Sequence, residues 1–148
     1  MSVLDPHVVA VLGAGTMGHG IAQVTAAAGF TTRIYDVKAE AADAGLSKVK
    51  ATVARLVEKK KLPEDGAAAL LGRLSATSDL RAAVEGATIV IEAAPERMEL
   101  KVELFRSVIN AVSASTLLAS NTSSLSITEL GRRIGAGDRT VGYHFFNP

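Results

Sequence analysis

Residues 7–18, HVVAVLGAGTMG, decide the fold class of this chain of 148 residues. The first half of the segment is a short run of aliphatic and β-branched residues, which is typical of a buried strand. Gly13, Gly15 and Gly18 follow at once with the spacing G-x-G-x-x-G, where the helical pattern of Met17–Ala28 begins. A strand, a glycine turn and a helix in this order predict the first unit of an open parallel sheet.

Each glycine of this loop has a different physical role. The first allows the tight turn, the second lets a pyrophosphate approach the backbone, and the third lets the helix pack closely on the strand. The helix N-terminus then offers free N–H groups and a partial positive charge to phosphate oxygens. We therefore expect a dinucleotide cofactor to bind at Gly13, Gly15, Thr16, Met17 and Gly18.

Asp36 supports the same prediction, because it ends the predicted strand Thr31–Tyr35, roughly twenty residues beyond the loop. An acidic side chain at this place accepts hydrogen bonds from the adenosine ribose hydroxyls and repels a 2′-phosphate. The sequence thus predicts NAD in preference to NADP, although the nearby cations Arg33 and Lys38 weaken that preference. The alternative is an ordinary strand–helix turn with a surface aspartate.

The rest of the chain alternates short apolar runs with helical patterns. This alternation predicts one α/β domain over residues 1–148, with a Rossmann-type, doubly wound, mostly parallel sheet and helices on both faces. The predicted strands are His7–Leu12, Thr31–Tyr35, Leu74–Ala76, Ala87–Ala93, Thr116–Ser120 and Thr140–Phe145. The predicted helices are Met17–Ala28, a long helix that ends at Lys59-Lys60-Lys61, Glu64–Gly72, Arg97–Val112 and a short helix opened by a capping box of Ser126 and Glu129.

Composition limits the classes of partner. The chain has 16 Lys and Arg residues against 15 Asp and Glu residues, so no overall field attracts nucleic acid or an anionic membrane. The absence of Cys excludes disulfides, thiolate metal sites and cysteine nucleophiles. Asp5 stands where a signal peptide carries basic residues, and the apolar run Val8–Leu12 is too short to span a membrane. We expect a soluble cytoplasmic protein without a metal centre.

The motifs together resemble a known family. VLGAGTMGHGIAQ, EAAPERMELKVELF, ASNTSSL and HFFNP occur in the order in which the 3-hydroxyacyl-CoA dehydrogenases carry them. The resemblance covers essentially the whole chain, and it includes the related 3-hydroxybutyryl-CoA dehydrogenases, so it leaves the acyl length open. It implies the NAD-binding domain of an enzyme of fatty acid metabolism and β-oxidation. Such an enzyme oxidises (3S)-3-hydroxyacyl-CoA to 3-oxoacyl-CoA and transfers a hydride to NAD.

The resemblance places Glu96 and Lys101 beside the nicotinamide ribose of the cofactor. Lys101 has independent support, because it falls in the apolar stripe of its helix with Met98 and Phe105, a face that a solvated Lys normally avoids. The alternative is that Lys101 extends out of the first helical turn to solvent. Glu92 either orients a loop or only satisfies backbone groups, and it is not assigned to the site.

The segment 120–124, SNTSS, follows a predicted strand at its carboxyl end, where open parallel sheets bind ligands. The resemblance assigns Ser123 to the substrate and the nicotinamide, with its hydroxyl on the oxygen at substrate C3, and Asn121 to a supporting polar contact with substrate. The alternative is ordinary turn and N-cap chemistry, in which Ser, Thr and Asn are also common.

His144 is the general base that the resemblance implies. An imidazole suits the removal of a proton from a secondary alcohol, because its ordinary pKa lies near neutrality. The alternative is a core histidine, since the alternation of residues 141–146 predicts a strand that is covered on both faces.

In the family, a Glu shortly after HFFNP pairs with the His, and a helical domain beyond it closes the cleft and forms the dimer. This chain ends at Pro148, so we expect it to bind NAD but to turn over slowly or not at all. Lys59 and Lys60 are candidate contacts for the CoA phosphates, although Lys also favours helix C-termini without any ligand.

Two other functions remain open from the residues alone. One is an NAD-binding regulatory module without catalysis, which needs the glycine loop and Asp36 but neither Ser123 nor His144. The other is a different Rossmann dehydrogenase of 3-hydroxy acids, which shares the glycine loop but fits the SNTSSL and HFFNP segments poorly.

Overall fold

The computed structural model describes residues 7–146, so Asp5 and the last two residues of the HFFNP segment lie outside the described residues. Its strands are β1 (Val8–Leu12), β2 (Thr31–Tyr35), β3 (Leu74–Thr77), β4 (Ile89–Glu92), β5 (Leu117–Ser120) and β6 (Thr140–Gly142). Its helices are α1 (Thr16–Ala27), α2 (Ala39–Glu58), α3 (Glu64–Gly72), α4 (Leu80–Val84), α5 (Met98–Ile109) and α6 (Ile127–Ile134), with a 3₁₀ turn at Gly137–Arg139.

The strands form one parallel sheet in the order β3-β2-β1-β4-β5-β6. The chain builds outward from β1 to β3, crosses back to β4 and then builds outward to β6. The direction of building therefore reverses between β1 and β4, which is where open α/β sheets bind their ligands. Leu12 lies beside Tyr35 on one side and Glu92 on the other, so these strand ends meet at one edge. The predicted Rossmann-type fold is confirmed.

Helices cover both faces of the sheet, and each face has its own apolar core. The core beneath α1 and α2 includes Val9, Val11, Ile21, Ala22, Ile34 and Ile91. The core beneath α4, α5 and α6 includes Ala10, Leu12, Val84, Val90, Phe105, Val108, Leu118 and Leu130. Because successive residues of β1 enter opposite cores, this strand is an unbroken apolar run and not an alternating one.

Most predicted elements are confirmed with small differences at their ends, where helices and strands are least sharply defined. The predicted helix Arg97–Val112 is shorter in the structure and spans Met98–Ile109. Ser126 is confirmed as the N-cap of α6, because its hydroxyl accepts a hydrogen bond from the Glu129 N–H at 3.1 Å, which is one half of the predicted capping box. Helix α4 was not predicted, because 5 residues are too few to show a helical period.

The last strand differs most from its prediction. It was expected over Thr140–Phe145, but β6 ends at Gly142, and within residues 7–146 it pairs only with β5. Tyr143, His144 and Phe146 are exposed, with Phe146 at 85%, while Phe145 packs against the core beneath α1 and α2. The prediction of a strand covered on both faces is therefore wrong, and the exposed His144 is not a core residue. Alternation along a sequence does not distinguish an edge strand from a central one.

Helix α2 is long, with 20 residues, and it begins close to the carboxyl end of β2. At 1.5 Å per residue its other end lies roughly 30 Å away from that edge. There Lys59 caps the helix and Lys60 adopts a left-handed conformation with φ of 54°. Neither α2 nor another helix within residues 7–146 is both long and apolar enough to cross a membrane.

Candidate functional site

The glycine loop has the geometry that its spacing predicts. Gly13 has φ of +105°, and a Cβ at this position would lie 2.7 Å from the carbonyl oxygen of Ala93. A Cβ on Gly18 would lie 1.7 Å from the carbonyl oxygen of Gly13, so α1 packs directly on the loop. Above Gly15 there is no heavy atom within 4 Å of the position that a Cβ would take. Packing therefore requires the first and third glycines, whereas the second leaves open space.

The N-terminus of α1 faces this open space. Gly15 is its N-cap, and no side chain of the described residues caps the first N–H groups. The first turn, which begins with Thr16 and Met17, contains no acidic residue that would repel an anion. The loop and the helix end thus fit a pyrophosphate, because they offer both space and uncompensated N–H donors.

Asp36 joins β2 to the same loop. Its carboxylate accepts hydrogen bonds from the Ala14 N–H at 3.1 Å and from the Lys38 N–H at 3.2 Å, one at each oxygen. A carboxylate oxygen has two lone pairs, so each oxygen can accept a further bond from a ribose hydroxyl. The two backbone contacts fix the orientation of the carboxylate beside the glycine loop.

Arg33, which weakened the preference for NAD at the level of sequence, is engaged elsewhere. Its Nη1 donates hydrogen bonds to the carbonyl oxygens of Ala82 at 3.2 Å, Ala83 at 3.3 Å and Glu85 at 2.5 Å, at the C-terminal end of α4. A cation is favourable at that end of a helix. These contacts hold Nη1 at the end of α4, which limits the reach of the guanidinium toward a 2′-phosphate next to Asp36.

A cleft of about 690 Å³ runs along the carboxyl edge of the sheet, and this volume is typical of small-molecule sites. It is lined by Gly13, Gly15, Thr16, Met17, Tyr35, Asp36, Val37, Leu80, Ala93, Ala94, Pro95, Leu100, Glu103, Leu104 and Ser107. Burial, and then the nearby carboxylates of Asp36 and Asp79, raise the pKa of Tyr35 above its usual value. The Tyr35 hydroxyl therefore remains a protonated donor at the cleft wall.

A buried ion pair lies directly behind the β4 end of this cleft. The Lys101 ammonium is 2.6 Å from Glu92, and the two side chains are 2% and 0% exposed. Lys101 also donates to the carbonyl oxygen of Ala94 at 3.0 Å, and its Nζ lies 3.7 Å from a carboxylate oxygen of Glu96. The alternative in which Lys101 extends to solvent is therefore wrong.

Glu92 is the residue of this cluster that was not assigned to the site from the sequence. Its Oε2 accepts from Lys101 and from the Ala94 N–H at 2.7 Å, while its Oε1 accepts from the Ser120 hydroxyl at 2.5 Å. One signal could have found it. An acidic residue that ends a buried apolar strand requires a cation, and a Lys in an apolar helical stripe follows shortly afterwards, at Lys101.

The segment 120–124 is tied to β4 and to the turn behind it. Besides the bond from Ser120 to Glu92, the Thr122 hydroxyl donates to the Glu96 carboxylate. The Leu125 N–H donates to the Thr122 hydroxyl at 3.0 Å, which closes the turn that carries Ser123. The hydroxyl-rich sequence is thus partly turn chemistry, while Ser123 itself is exposed at the edge of the sheet.

The His144 segment lies alongside it. The Tyr143 N–H donates to the carbonyl oxygen of Ser120 at 2.9 Å, which extends the pairing with β5 beyond the end of β6. The Phe145 N–H donates to Oδ1 of Asn121 at 2.7 Å. The residues on either side of His144 are therefore both anchored to the end of β5. Asn121 orients this segment, a role that the sequence did not predict.

Lys59 and Lys60 do not lie at the carboxyl edge of the sheet. They lie beyond the last residue of α2, and neither lines the cleft at the carboxyl edge. Their contact with CoA phosphates stays a prediction.

Comparison with known proteins identifies the family. The family described as 3-hydroxyacyl-CoA dehydrogenase, NAD binding domain, matches residues 8–148. The chain belongs to this family. The predicted family and its NAD cofactor are thereby confirmed.

Similar proteins carry related names. A probable 3-hydroxybutyryl-CoA dehydrogenase of Bacillus subtilis is 47% identical over 93% of this chain and 48% of its own length. The crystal structure of 3-hydroxybutyryl-CoA dehydrogenase from Escherichia coli superposes with a TM-score of 0.92 at 41% identity, over 98% of this chain and 30% of that one. The (S)-3-hydroxybutyryl-CoA dehydrogenase from Ralstonia eutropha also gives 0.92, at 38% identity, over 97% and 50%. The chain thus spans half of these relatives or less.

Proposed function

We propose that this chain provides the NAD-binding half of a cytoplasmic (3S)-3-hydroxyacyl-CoA dehydrogenase. The observation that carries the proposal is a single edge of the sheet. The glycine loop and Asp36 lie at the ends of β1 and β2, and the exposed Ser123 and His144 follow β5 and β6 at the same edge. A regulatory module that only binds NAD does not require Ser123 and His144. The names of the relatives also favour the dehydrogenase.

The geometry of the loop supports a cofactor site at the glycines and Asp36, and the resemblance of the sequence motifs supports Glu96 and Lys101. The N–H groups from Gly15 to Met17 bind the pyrophosphate, Asp36 binds the adenosine ribose, and Glu96 and Lys101 serve the nicotinamide ribose. When bound, NAD supplies the acceptor for the hydride that leaves C3 of the substrate.

Side chains of the protein accept the proton that the same alcohol loses. An imidazole nitrogen of His144 takes the proton from the hydroxyl at C3, while the Ser123 hydroxyl donates a hydrogen bond to that oxygen. Asn121 acts through the backbone, because its bond to the Phe145 N–H orients the residue next to His144. Asn121 also offers its amide nitrogen to the substrate.

The substrate is an acyl-CoA, and the remainder of the enzyme lies in the part of the relatives that this chain does not span. In this proposal the additional part closes the cleft, pairs with His144 and forms the homodimer. Lys59 and Lys60 then bind phosphates of CoA from the far end of α2.

A chimera tests the proposal. The chain is fused after Pro148 to the remaining part of the B. subtilis relative, and the reduction of NAD by 3-hydroxybutyryl-CoA is followed by absorbance. We expect turnover from the chimera and little or none from the chain alone, because cleft closure and the partner of His144 are added only by the fusion. An inactive chimera that folds and binds NADH would contradict the proposal.

His144→Gln in the chimera is expected to lower turnover by about 10²–10⁴-fold, the usual contribution of general-base catalysis. NADH affinity should change little, because the imidazole is at the reacting end. His7→Gln is the matched control, since His7 contacts Thr88 at the opposite end of the sheet. Normal turnover in His144→Gln would show that His144 is not the general base.

A further inference from the structure

Glu92 was not assigned to the site from the sequence, but its carboxylate contacts Lys101, Ala94 and Ser120. It is the last residue of β4, it is 0% exposed, and both of its carboxylate oxygens are hydrogen-bonded. Burying a carboxylate is costly even when it is paired, and apolar side chains of similar volume often stabilise a fold better. The burial of this pair is therefore weak evidence for a stabilising role, and its contacts decide what it does.

The two oxygens of Glu92 serve different sides of the cleft. Oε2 holds Lys101 and the Ala94 N–H, and Ala94 belongs to the turn that lines the cleft. Oε1 holds Ser120, whose hydroxyl oxygen accepts the Thr122 N–H at 3.3 Å. One buried carboxylate thus connects the turn at Ala94 with the segment that carries Ser123.

We propose that Glu92 is a positioning residue that holds the segment 120–124 and the Lys101 ammonium in a fixed relation to each other. The inference rests on the proposed function only for its effect on turnover. Ser123 is next to Thr122 in the chain, so a shift of this segment moves its hydroxyl directly. Misplacement of a catalytic group by about 1 Å can cost about a hundredfold in rate.

The competing role is purely structural, in which Glu92 only neutralises Lys101. Two hydroxyls at opposite ends of β5 separate these roles. The Ser120 hydroxyl binds Glu92 at the carboxyl end, and the Thr116 hydroxyl donates to the Ala87 carbonyl oxygen at 2.8 Å at the amino end. Both side chains are buried, at 0% and 1% exposure. Ser120→Ala removes two buried hydrogen bonds, the one to Glu92 and the one from the Thr122 N–H. Thr116→Val removes one buried hydrogen bond immediately before the same strand.

The first readout is amide hydrogen exchange of the chain itself, followed by NMR. Ser120→Ala should speed exchange at the Thr122 amide, which loses its acceptor, and also by about tenfold at the Leu125 amide, whose own acceptor is the Thr122 hydroxyl. The change at Leu125 reports that the whole segment has lost its link to Glu92. NADH affinity should stay within about twofold, since the bond from Glu92 to Lys101 remains. Thr116→Val should leave the exchange of both amides unchanged. Equal exchange in Ser120→Ala and the unaltered chain would overturn the proposal.

The second readout tests Glu92 directly. Glu92→Gln is expected to speed exchange at the same amides and to weaken the affinity for NADH about tenfold. Both effects are expected because the substitution alters the bond to Ser120 as well as the bond to Lys101. If that variant does not fold, Glu92→Met combined with Lys101→Met removes the pair together, a change that folded proteins often tolerate. This double variant should show the same faster exchange at Thr122. Protection of Thr122 equal to that of the unaltered chain would assign Glu92 a structural role only.

The third readout is turnover in the chimera, where Ser120→Ala should lower kcat about tenfold or more and leave the KM for NAD unchanged. Thr116→Val should retain kcat. Loss of kcat in proportion to stability in both variants would contradict the positioning role. An inactive unaltered chimera would defeat the proposed function, whereas the exchange and NADH results would still decide the role of Glu92.

Discussion

Two regions at the same edge of the sheet are built in different ways. The region around β1, α1 and β2 presents backbone N–H groups, and its critical residues lie close together in the sequence between Gly13 and Asp36. The region at the ends of β4, β5 and β6 presents side chains, and these are held by contacts between distant residues such as Ser120 and Glu92. A site made of backbone needs glycines and a helix start, whereas a site made of side chains needs a supporting network.

The first prediction concerns that network and has the largest expected effect. Lys101→Met leaves the Glu92 carboxylate buried without its cation, so the free energy of unfolding should fall by about 3–5 kcal/mol. Replacing Glu92 by Met as well should restore most of the loss. Urea unfolding measures both variants, and the exposed Lys50→Met is the matched control. A Lys101→Met variant as stable as this control would mean that the pair does not support the region.

The second prediction concerns Asp36 and the cofactor. A hydrogen bond to a charged group contributes about 1.5–3 kcal/mol, so Asp36→Ala should weaken NADH by about ten- to a hundredfold. NADPH should be affected much less, because its 2′-phosphate is repelled by the carboxylate and Arg33 is engaged at α4. Calorimetric titration with both cofactors provides the measurement, with the exposed Asp43→Ala as control. Equal losses of affinity for NADH and NADPH would show that Asp36 does not bind the adenosine ribose.

The third prediction separates packing from binding within the glycine loop. Gly18→Ala places a Cβ against the Gly13 carbonyl oxygen and should cost about 1–3 kcal/mol of unfolding free energy. Gly15→Ala meets no atom within 4 Å, so it should fold normally and bind NADH less tightly. Gly20→Ala, also without a neighbour, should leave affinity unchanged and stabilise the helix slightly. Unchanged affinity in Gly15→Ala would show that the open space does not receive the pyrophosphate.

The same comparison explains which predictions from sequence succeeded. The β1 turn, the N-cap at Ser126 and the succession of strands and helices along the chain depend on neighbours in sequence, and the structure agrees with these predictions. The extent of the last strand and the surroundings of Lys101 depend on which elements pack nearby, and there the sequence was misleading or silent.

By itself the sequence determined the doubly wound sheet, the glycine loop and the family, because strand and helix periods and the conformational freedom of glycine act over short stretches of chain. Only the tertiary structure decided that Lys101 is buried against Glu92, that Arg33 turns away to α4, and that Asn121 anchors the residue after His144. Those contacts join residues on separate elements, and their geometry exists only once the strands are in register. The physical reason is that a local pattern specifies backbone conformation, whereas the partner of a buried polar group is chosen by packing.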